Sequence, residues 1–334
     1  MGTDGAVVTR IAGTGHYAPD RVLTNDDLAE IVDTSDEWIR TRTGIRQRRI
    51  AADGEYTSDL AANAAREAVE SAGLTPEDID LIVVCTVTPD MPLPSTAVYV
   101  QQKIGARSDC PAFDLAAACS GFIYGLSVAD SFIRSGSAKH VLIIGVELLS
   151  RVLDWQERTT CVLFGDGAGA AVLSAAEPGC SRELLSTHIF ANGELAPALT
   201  IPAGGSVEPA SEETVANGRH FVHMAGRDVF KFAVKALSAA SKLAVAENGL
   251  EPDDIAWVVP HQANLRILEG VSKRCGIPME RFFVNIDRYG NTSSASVPIA
   301  MNEASQKGCF EQGQYLLLCA LGGGIAWGSA LVRW

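Results

Sequence analysis

Two stretches of this chain repeat each other. Leu74-Thr75-Pro76-Glu77-Asp78-Ile79-Asp80-Leu81-Ile82-Val83-Val84-Cys85 is a turn feeding an apolar strand. Some 176 residues further on, Leu250-Glu251-Pro252-Asp253-Asp254-Ile255-Ala256-Trp257-Val258-Val259-Pro260-His261 keeps its Leu, Pro, acid, Asp, Ile and Val-Val pair in register, with His261 opposite Cys85. A strand without polar alternation is one covered by helices on both faces. A long helix precedes each copy, spanning 226–247 in the second, and a helix, strand, helix and strand follow. After the first copy these include Phe113–Leu115, a helix starting near Cys119 and Val141–Val146; after the second, Phe283–Ile286, a helix near 295–306 and Tyr315–Ala320. Each series closes on a glycine-rich turn into an apolar strand, at 165–173 and 322–332. The pattern predicts a duplicated α/β unit with halves 1–176 and 177–334, and 334 residues are more than one core usually serves. Residues 177–222, with Pro202-Ala203-Gly204-Gly205, interrupt the second copy and carry no assignable pattern.

Local signals add a strand at 6–13, a helix at 26–32 capped by Asn25, and another from Asp36 capped by Ser35. Ser58 is expected to cap a long amphipathic helix that ends at Gly73. Gly13-x-Gly15-x-x-Ala18 imitates a dinucleotide fingerprint, but Pro19-Asp20 follows where a helix must continue. Neither closing glycine turn is a phosphate loop, because a strand follows and no Lys-Ser or Lys-Thr is present.

Several classes drop out. A formal charge of −13 argues against non-specific nucleic-acid binding. Eight scattered cysteines, without C-x-x-C or zinc spacing, read as reduced thiols and no metal site. Met1-Gly2-Thr3-Asp4-Gly5-Ala6 has neither a signal-peptide pattern nor a myristoylation pattern, and no apolar run is long enough to span a membrane. The expectation is a soluble cytoplasmic protein.

Chemistry concentrates at Phe113-Asp114-Leu115-Ala116-Ala117-Ala118-Cys119-Ser120-Gly121-Phe122. An apolar strand runs into small residues and then a helix, which puts the Cys119 thiol at the positive helix end, where the thiolate is favoured. In the second copy the corresponding turn is Asp287-Arg288-Tyr289-Gly290-Asn291-Thr292-Ser293-Ser294, and His261 leaves the end of a buried strand. Open α/β sheets gather functional groups at the carboxyl ends of their strands, so Cys119, His261 and Asn291 can share one pocket. Taken singly, His261 could cap a helix and Asn291 make a turn. Together they suit acyl chemistry, the sulfur taking the acyl group and donors stabilising an oxyanion. Trp38 among Arg40, Arg42 and Arg46 could stack a purine and pair phosphates; a half-buried indole among solvated charges explains the segment equally well. The basic run Arg219, Arg227, Lys231, Lys235 and Lys242, followed by Arg266, Lys273 and Arg274, is either a solvated face or a docking patch for an acidic partner.

Six motifs in order resemble the β-ketoacyl-ACP synthase III family: Thr34-Ser-Asp-Glu-Trp38-Ile-Arg-Thr-Arg42, Ala-Ala-Cys119-Ser-Gly-Phe, Phe164-Gly-Asp-Gly-Ala-Gly-Ala, Pro260-His261-Gln-Ala-Asn264-Leu-Arg266, Tyr289-Gly-Asn291-Thr-Ser and Gly322-Gly-Gly-x-x-Trp327-Gly-Ser-Ala. The resemblance covers nearly the whole chain. It implies a thiolase-like αβαβα five-layer fold, a homodimer, and condensation of an acyl-CoA with malonyl-ACP, CoA thioesters being substrates and no cofactor being required. Cys119 then matches the acylated nucleophile, His261 and Asn291 the donors to the malonyl thioester oxygen, and the N–H groups of Cys119 and Gly323 a second oxyanion hole. Trp38, Arg42 and Arg158 match holders of the CoA adenine and phosphates, and Asn264, Phe230 and Gly226 walls of the pantetheine tunnel. Arg266, Lys231, Lys273 and Arg274 match the surface that receives ACP. Leu93 falls where the dimer partner closes the acyl pocket; being narrower than the aromatic often found there, it suggests a pocket that takes acetyl and tolerates somewhat longer primers.

Three other readings stand beside this one. An acyltransferase or starter-unit ketosynthase of secondary metabolism would share the residues. A Cys-His-Asn thiol hydrolase would use water, with Asn orienting His. A non-catalytic ACP-binding scaffold would leave Cys119 unreactive.

Overall fold

The computed structural model describes residues 7–334, so the stretch 1–6 read for targeting patterns and the start of the strand expected at 6–13 lie outside the described residues. Nine strands form one sheet: β1 (Val8–Tyr17), β2 (Leu81–Cys85), β3 (Ala112–Leu115), β4 (His140–Glu147), β5 (Gly167–Ala176), β6 (Glu183–Ala191), β7 (Ile255–Pro260), β8 (Tyr315–Gly322) and β9 (Ala326–Arg333). The longer helices are α1 (Asp36–Thr43), α2 (Thr57–Ser71), α3 (Thr96–Ile104), α4 (Gly121–Arg134), α5 (Gly226–Glu247), α6 (Leu265–Cys275) and α7 (Ser296–Gln306).

The strand order is β7-β8-β9-β6-β1-β5-β4-β2-β3. From the centre outward, β1-β5-β4-β2 and β6-β9-β8-β7 follow one scheme of two antiparallel pairings and then a parallel one. Within the sheet the halves pair where Thr9 faces Leu184 and Arg10 faces Glu183.

Alternation along the strands sorts the layers. Leu81, Val83 and Cys85 of β2 point into a central core with Phe122 and Leu126 of α4, Val297 and Met301 of α7, and Val259, Leu316 and Leu318 of the other half. Ile82 and Val84 point outward to Leu60, Ala64 and Ala68 of α2 and Val100 of α3. On the far side, Leu317 and Leu331 face Leu237 of α5 and Leu268 of α6. The result is five layers, with α4 and α7 shared by both halves of the sheet. Each buried Val or Leu contributes about 1.5–3 kcal/mol, and a one-residue slip would turn every one of them to the wrong layer.

Four local expectations give way. The first helix is only Asn25–Ala29 and its cap is Thr24, whose hydroxyl accepts from Asp27 N–H; the Asn25 amide is committed to the Ile45 carbonyl and the Asp36 carboxylate. α2 begins at Thr57, and Ser58 Oγ accepts instead from Lys103 Nζ at 2.7 Å. Phe283–Ile286 is not a strand: an isolated bridge between Phe282 and Val258 replaces the edge pairing, and a helical turn, Ile286–Tyr289, follows. β1 runs on to Tyr17, so Gly13 and Gly15 lie within a strand.

Candidate active site

Cys119 sits in a tight 3₁₀ turn, Ala118–Ser120, directly before α4. Gly322 at the end of β8 makes this possible, since a Cβ there would lie 2.4 Å from the Cys119 nitrogen. Among the described residues, three of the four non-glycine positions with positive φ, Ala118, Ser293 and Ile325, flank the same place. Strained backbone of this kind persists where the surroundings over-determine it, typically at functional sites.

The second half supplies the facing groups. His261 follows β7, its N–H donating to the Cys319 carbonyl at 2.7 Å, and its Nδ1 lies 2.6 Å from Ser296 Oγ. Buried Gln262 holds this turn by donating to the carbonyls of Pro260 and Phe283. Asn291 follows the turn Ile286–Tyr289, which Glu303 anchors through Arg288, Asn285 and Tyr289. Asn291 N–H donates to the Leu163 carbonyl, and its Oδ1 accepts from Ser293 N–H at 2.9 Å. That leaves Nδ2 as its free donor. Gly145 in β4 lets this loop lie against the sheet, because a Cβ there would come within 2.2 Å of the Ser294 carbonyl oxygen.

Cys119, His261 and Asn291 line one cavity. Leu163, Met224, Gly226, Phe230 and Asn264 line both this cavity and an outer groove of about 810 Å³, which Trp38, Arg42, Lys231 and Arg266 border. The two spaces adjoin along these five shared residues, and we read them as one passage from the surface to the sulfur. On the other side of Cys119, Phe164 and Leu199 lead into an apolar cavity of about 550 Å³ that reaches Ala116, Tyr124 and Val222, with Gly323 on its wall.

The remaining expected residues divide. The half-buried Trp38 indole is faced by two guanidinium groups, Arg42 at 4.5 Å and Arg158 at 4.8 Å from the ring centroid. Arg158 also donates to the Asp33 carbonyl at 2.8 Å. Asn264 caps α6 by accepting from Arg266 N–H. Lys231 and Arg266 are exposed at the groove, whereas Lys273 and Arg274 lie about 10 Å further along α6, outside it. Leu93 is 84% exposed and does not touch the apolar cavity of its own chain.

Electrostatics corrects one expectation. Cys119 stands before a helix, yet its thiol is pushed up to about 12 by burial. Ser293 and the N–H groups of Cys119 and Gly323 pull it down, and the Glu147 carboxylate pushes it further up. Loss of water outweighs these donors, and the resting group is a thiol. His261 is lowered to about 3 by burial and is a neutral imidazole.

Glu147 carries no signal in the sequence. It is fully buried, within hydrogen-bond reach of Thr86, Thr88 and Ser293 hydroxyls and the Val87 N–H, and burial raises it from 4.5 to about 7 despite them. The folded form holds this proton more tightly than the unfolded chain. Its contribution to stability is therefore full below about pH 4.5 and is lost as the pH rises through about 7. Melting temperatures between pH 5 and 8 should fall more steeply for the wild type than for Glu147→Gln; equal slopes would contradict the assignment. Residues 177–222 contribute unforeseen walls to the apolar cavity in Ala191, Leu199, Thr200, Ile201 and Val222. Among the described residues there is no His, Cys, Asp and Glu cluster able to hold a metal, and no helix is long and apolar enough to cross a membrane.

Layers and pocket together are those of a thiolase-like condensing enzyme. The family models for 3-oxoacyl-[acyl-carrier-protein (ACP)] synthase III match residues 113–193 and, for the C-terminal part, 245–334. A β-ketoacyl-[acyl-carrier-protein] synthase III of Xanthomonas campestris pv. campestris is 56% identical over 98% of this chain and 99% of its own. The crystal structure of 3-oxoacyl-[acyl-carrier-protein] synthase III from Aquifex aeolicus is 46% identical with a TM-score of 0.89, covering 98% of this chain and 100% of that one. The priming β-ketosynthase of a polyketide biosynthetic pathway is 34% identical with a TM-score of 0.90, covering 100% and 98%. The chain belongs to the 3-oxoacyl-[acyl-carrier-protein] synthase III family of acyl-transferring condensing enzymes.

Proposed function

We propose that Cys119 takes a primer acyl group from acyl-CoA and passes it to malonyl-ACP with loss of carbon dioxide, starting fatty-acid chains. One observation carries this reading: Cys119, His261 and Asn291 meet at the inner end of a passage whose mouth holds Trp38 and Arg42. In the first half-reaction the sulfur attacks the acyl carbonyl, the bond to the CoA sulfur breaks, and the thiol proton leaves with CoA. The N–H groups of Cys119 and Gly323, which already face the sulfur, are assigned to the acyl oxygen. In the second, malonyl-ACP loses carbon dioxide and negative charge gathers on its thioester oxygen. His261 Nε2 and Asn291 Nδ2 donate to that oxygen, each worth about 3–4 kcal/mol. The enolate carbon then attacks the acyl carbonyl, the carbon–sulfur bond breaks, and Cys119 recovers a proton. No step requires a metal or redox cofactor.

Trp38, Arg42 and Arg158 are assigned to the CoA adenine and phosphates; both guanidinium groups now face the indole, and one of them must move for a base to stack. Gly226, Phe230 and Asn264 are assigned to the pantetheine arm. Lys231 and Arg266, with Lys273 and Arg274 further out, are assigned to acidic ACP. A homodimer in the cytoplasm, with the partner's Leu93 closing the acyl cavity, completes the proposal.

The apolar cavity has room for acetyl and for somewhat longer primers, and equally suits a starter-unit role in secondary metabolism. Condensation with malonyl-ACP should proceed with acetyl- through octanoyl-CoA, releasing carbon dioxide and 3-oxoacyl-ACP. Rates that fall monotonically with chain length would reject the longer primers, and free acid as product would reject condensation. The hydrolase arrangement has no support in the geometry: Asn291 Oδ1 faces Ser293, and His261 Nδ1 faces Ser296.

A further inference from the structure

The structure assigns Ser296 a positioning role: its hydroxyl donates to His261 Nδ1 and so fixes the imidazole tautomer that carries its proton on Nε2. This rests on the donor role proposed for His261, which a neutral ring can fill only if Nδ1 accepts.

Ser296 Oγ has one hydrogen and three neighbours: His261 Nδ1 at 2.6 Å, the Ser293 carbonyl at 2.9 Å and Gln262 N–H at 3.4 Å. The carbonyl only accepts and the amide only donates, so the hydroxyl hydrogen goes either to Ser293 or to His261. Sent to Ser293, it would leave the 2.6 Å contact to be made by an Nδ1–H, and a bare lone pair would face the enolate oxygen. Two facts send it to His261. Ser293 O already receives the backbone N–H of Ser296 and does not need the hydroxyl. The contact to Nδ1 is also the shorter of the two, in a site where His261 and Ser296 are each 2% exposed and water cannot compete. Gln262 N–H then donates to the oxygen from the other side. Ser296 heads buried α7, so the hydroxyl is held while only its hydrogen rotates.

The experiment has two arms on the full-length protein. Nitrogen NMR of the ¹⁵N-histidine-labelled wild type, with the His261 signals assigned by loss in His261→Gln, should show Nε2 protonated and Nδ1 bare. A protonated Nδ1 would overturn the proposal, whatever the variants do. In Ser296→Ala, malonyl-ACP decarboxylation and condensation should fall roughly 10²-fold, about the cost of losing one oxyanion donor and less than the roughly 10⁴-fold that a wrong histidine tautomer costs in a serine protease. Acylation of Cys119 by acyl-CoA should stay within about twofold, and Ser296→Thr should restore condensation. Equal loss in both half-reactions, or no loss in either, would also overturn it. If His261→Gln itself leaves decarboxylation intact, the donor role has failed instead, a result separate from the tautomer.

Discussion

Cys119→Ala is expected to abolish acylation by acyl-CoA and to lower condensation by about 10⁴-fold or more, because no other group at the end of the passage can form the covalent intermediate. The fold should survive. Cys119 is 6% exposed, and losing its sulfur leaves a small gap beside an existing cavity. Malonyl-ACP decarboxylation, for which we propose His261 and Asn291, should persist in this variant without product, and that uncoupling separates loss of the nucleophile from collapse of the site. The comparison is made by following radiolabelled acyl transfer and carbon dioxide release in parallel. Decarboxylation lost together with acylation would mean that the two functions are not divided between the halves as proposed.

Asn291→Asp is expected to lower condensation about 10³-fold while acylation of Cys119 changes by no more than a few-fold. The substitution is chosen because Asn291 does two things. Its Oδ1 accepts from Ser293 N–H and shapes the loop, and a carboxylate oxygen can do the same. Its Nδ2 is the free donor, and a carboxylate there both removes a donor and repels the developing enolate. Loss of one oxyanion donor costs about 10²–10³-fold, to which the repulsion adds. Separate measurement of the half-reactions decides the point. Acylation falling in step with condensation would indicate a loop that has lost its shape.

The layers and the three central residues were legible because they rest on patterns that leave a trace in one dimension. Fully apolar strands at 81–85 and 255–260 declare sheets covered on both faces, and their shared turn residues declare a repeat. Cys119, His261 and Asn291 each follow a strand or turn end within that repeat. Less legible was anything decided by a partner distant in sequence. Asn25 has the right side chain for a cap, but the Ile45 carbonyl competes for its amide and Thr24 takes the position. Phe283–Ile286 has strand-like residues, but beyond the Phe282–Val258 bridge the chain turns into the helix that leads to Asn291.

The ionisation of Cys119 depends on how much water the fold removes, which the local sequence does not record; only its place before a helix was visible, and burial is the largest influence on it. Glu147 and Ser296 belong to the same class. Nothing near them in sequence marks an acid buried among hydroxyls or a serine that meets an imidazole 35 residues away. Trp38 shows the two readings of one segment to be compatible: the indole is half buried, and it lines the groove.

The most direct test is a single turnover of isolated acyl-enzyme. The protein is incubated with acyl-CoA, freed of excess, digested to locate the acyl group by mass, and a parallel sample is mixed with malonyl-ACP. The predicted result is an acyl group on the Cys119 peptide that disappears on mixing and is recovered as 3-oxoacyl-ACP, with one carbon dioxide for each acyl group consumed. An acyl group on any other residue, or one released from Cys119 as free acid, would contradict the account.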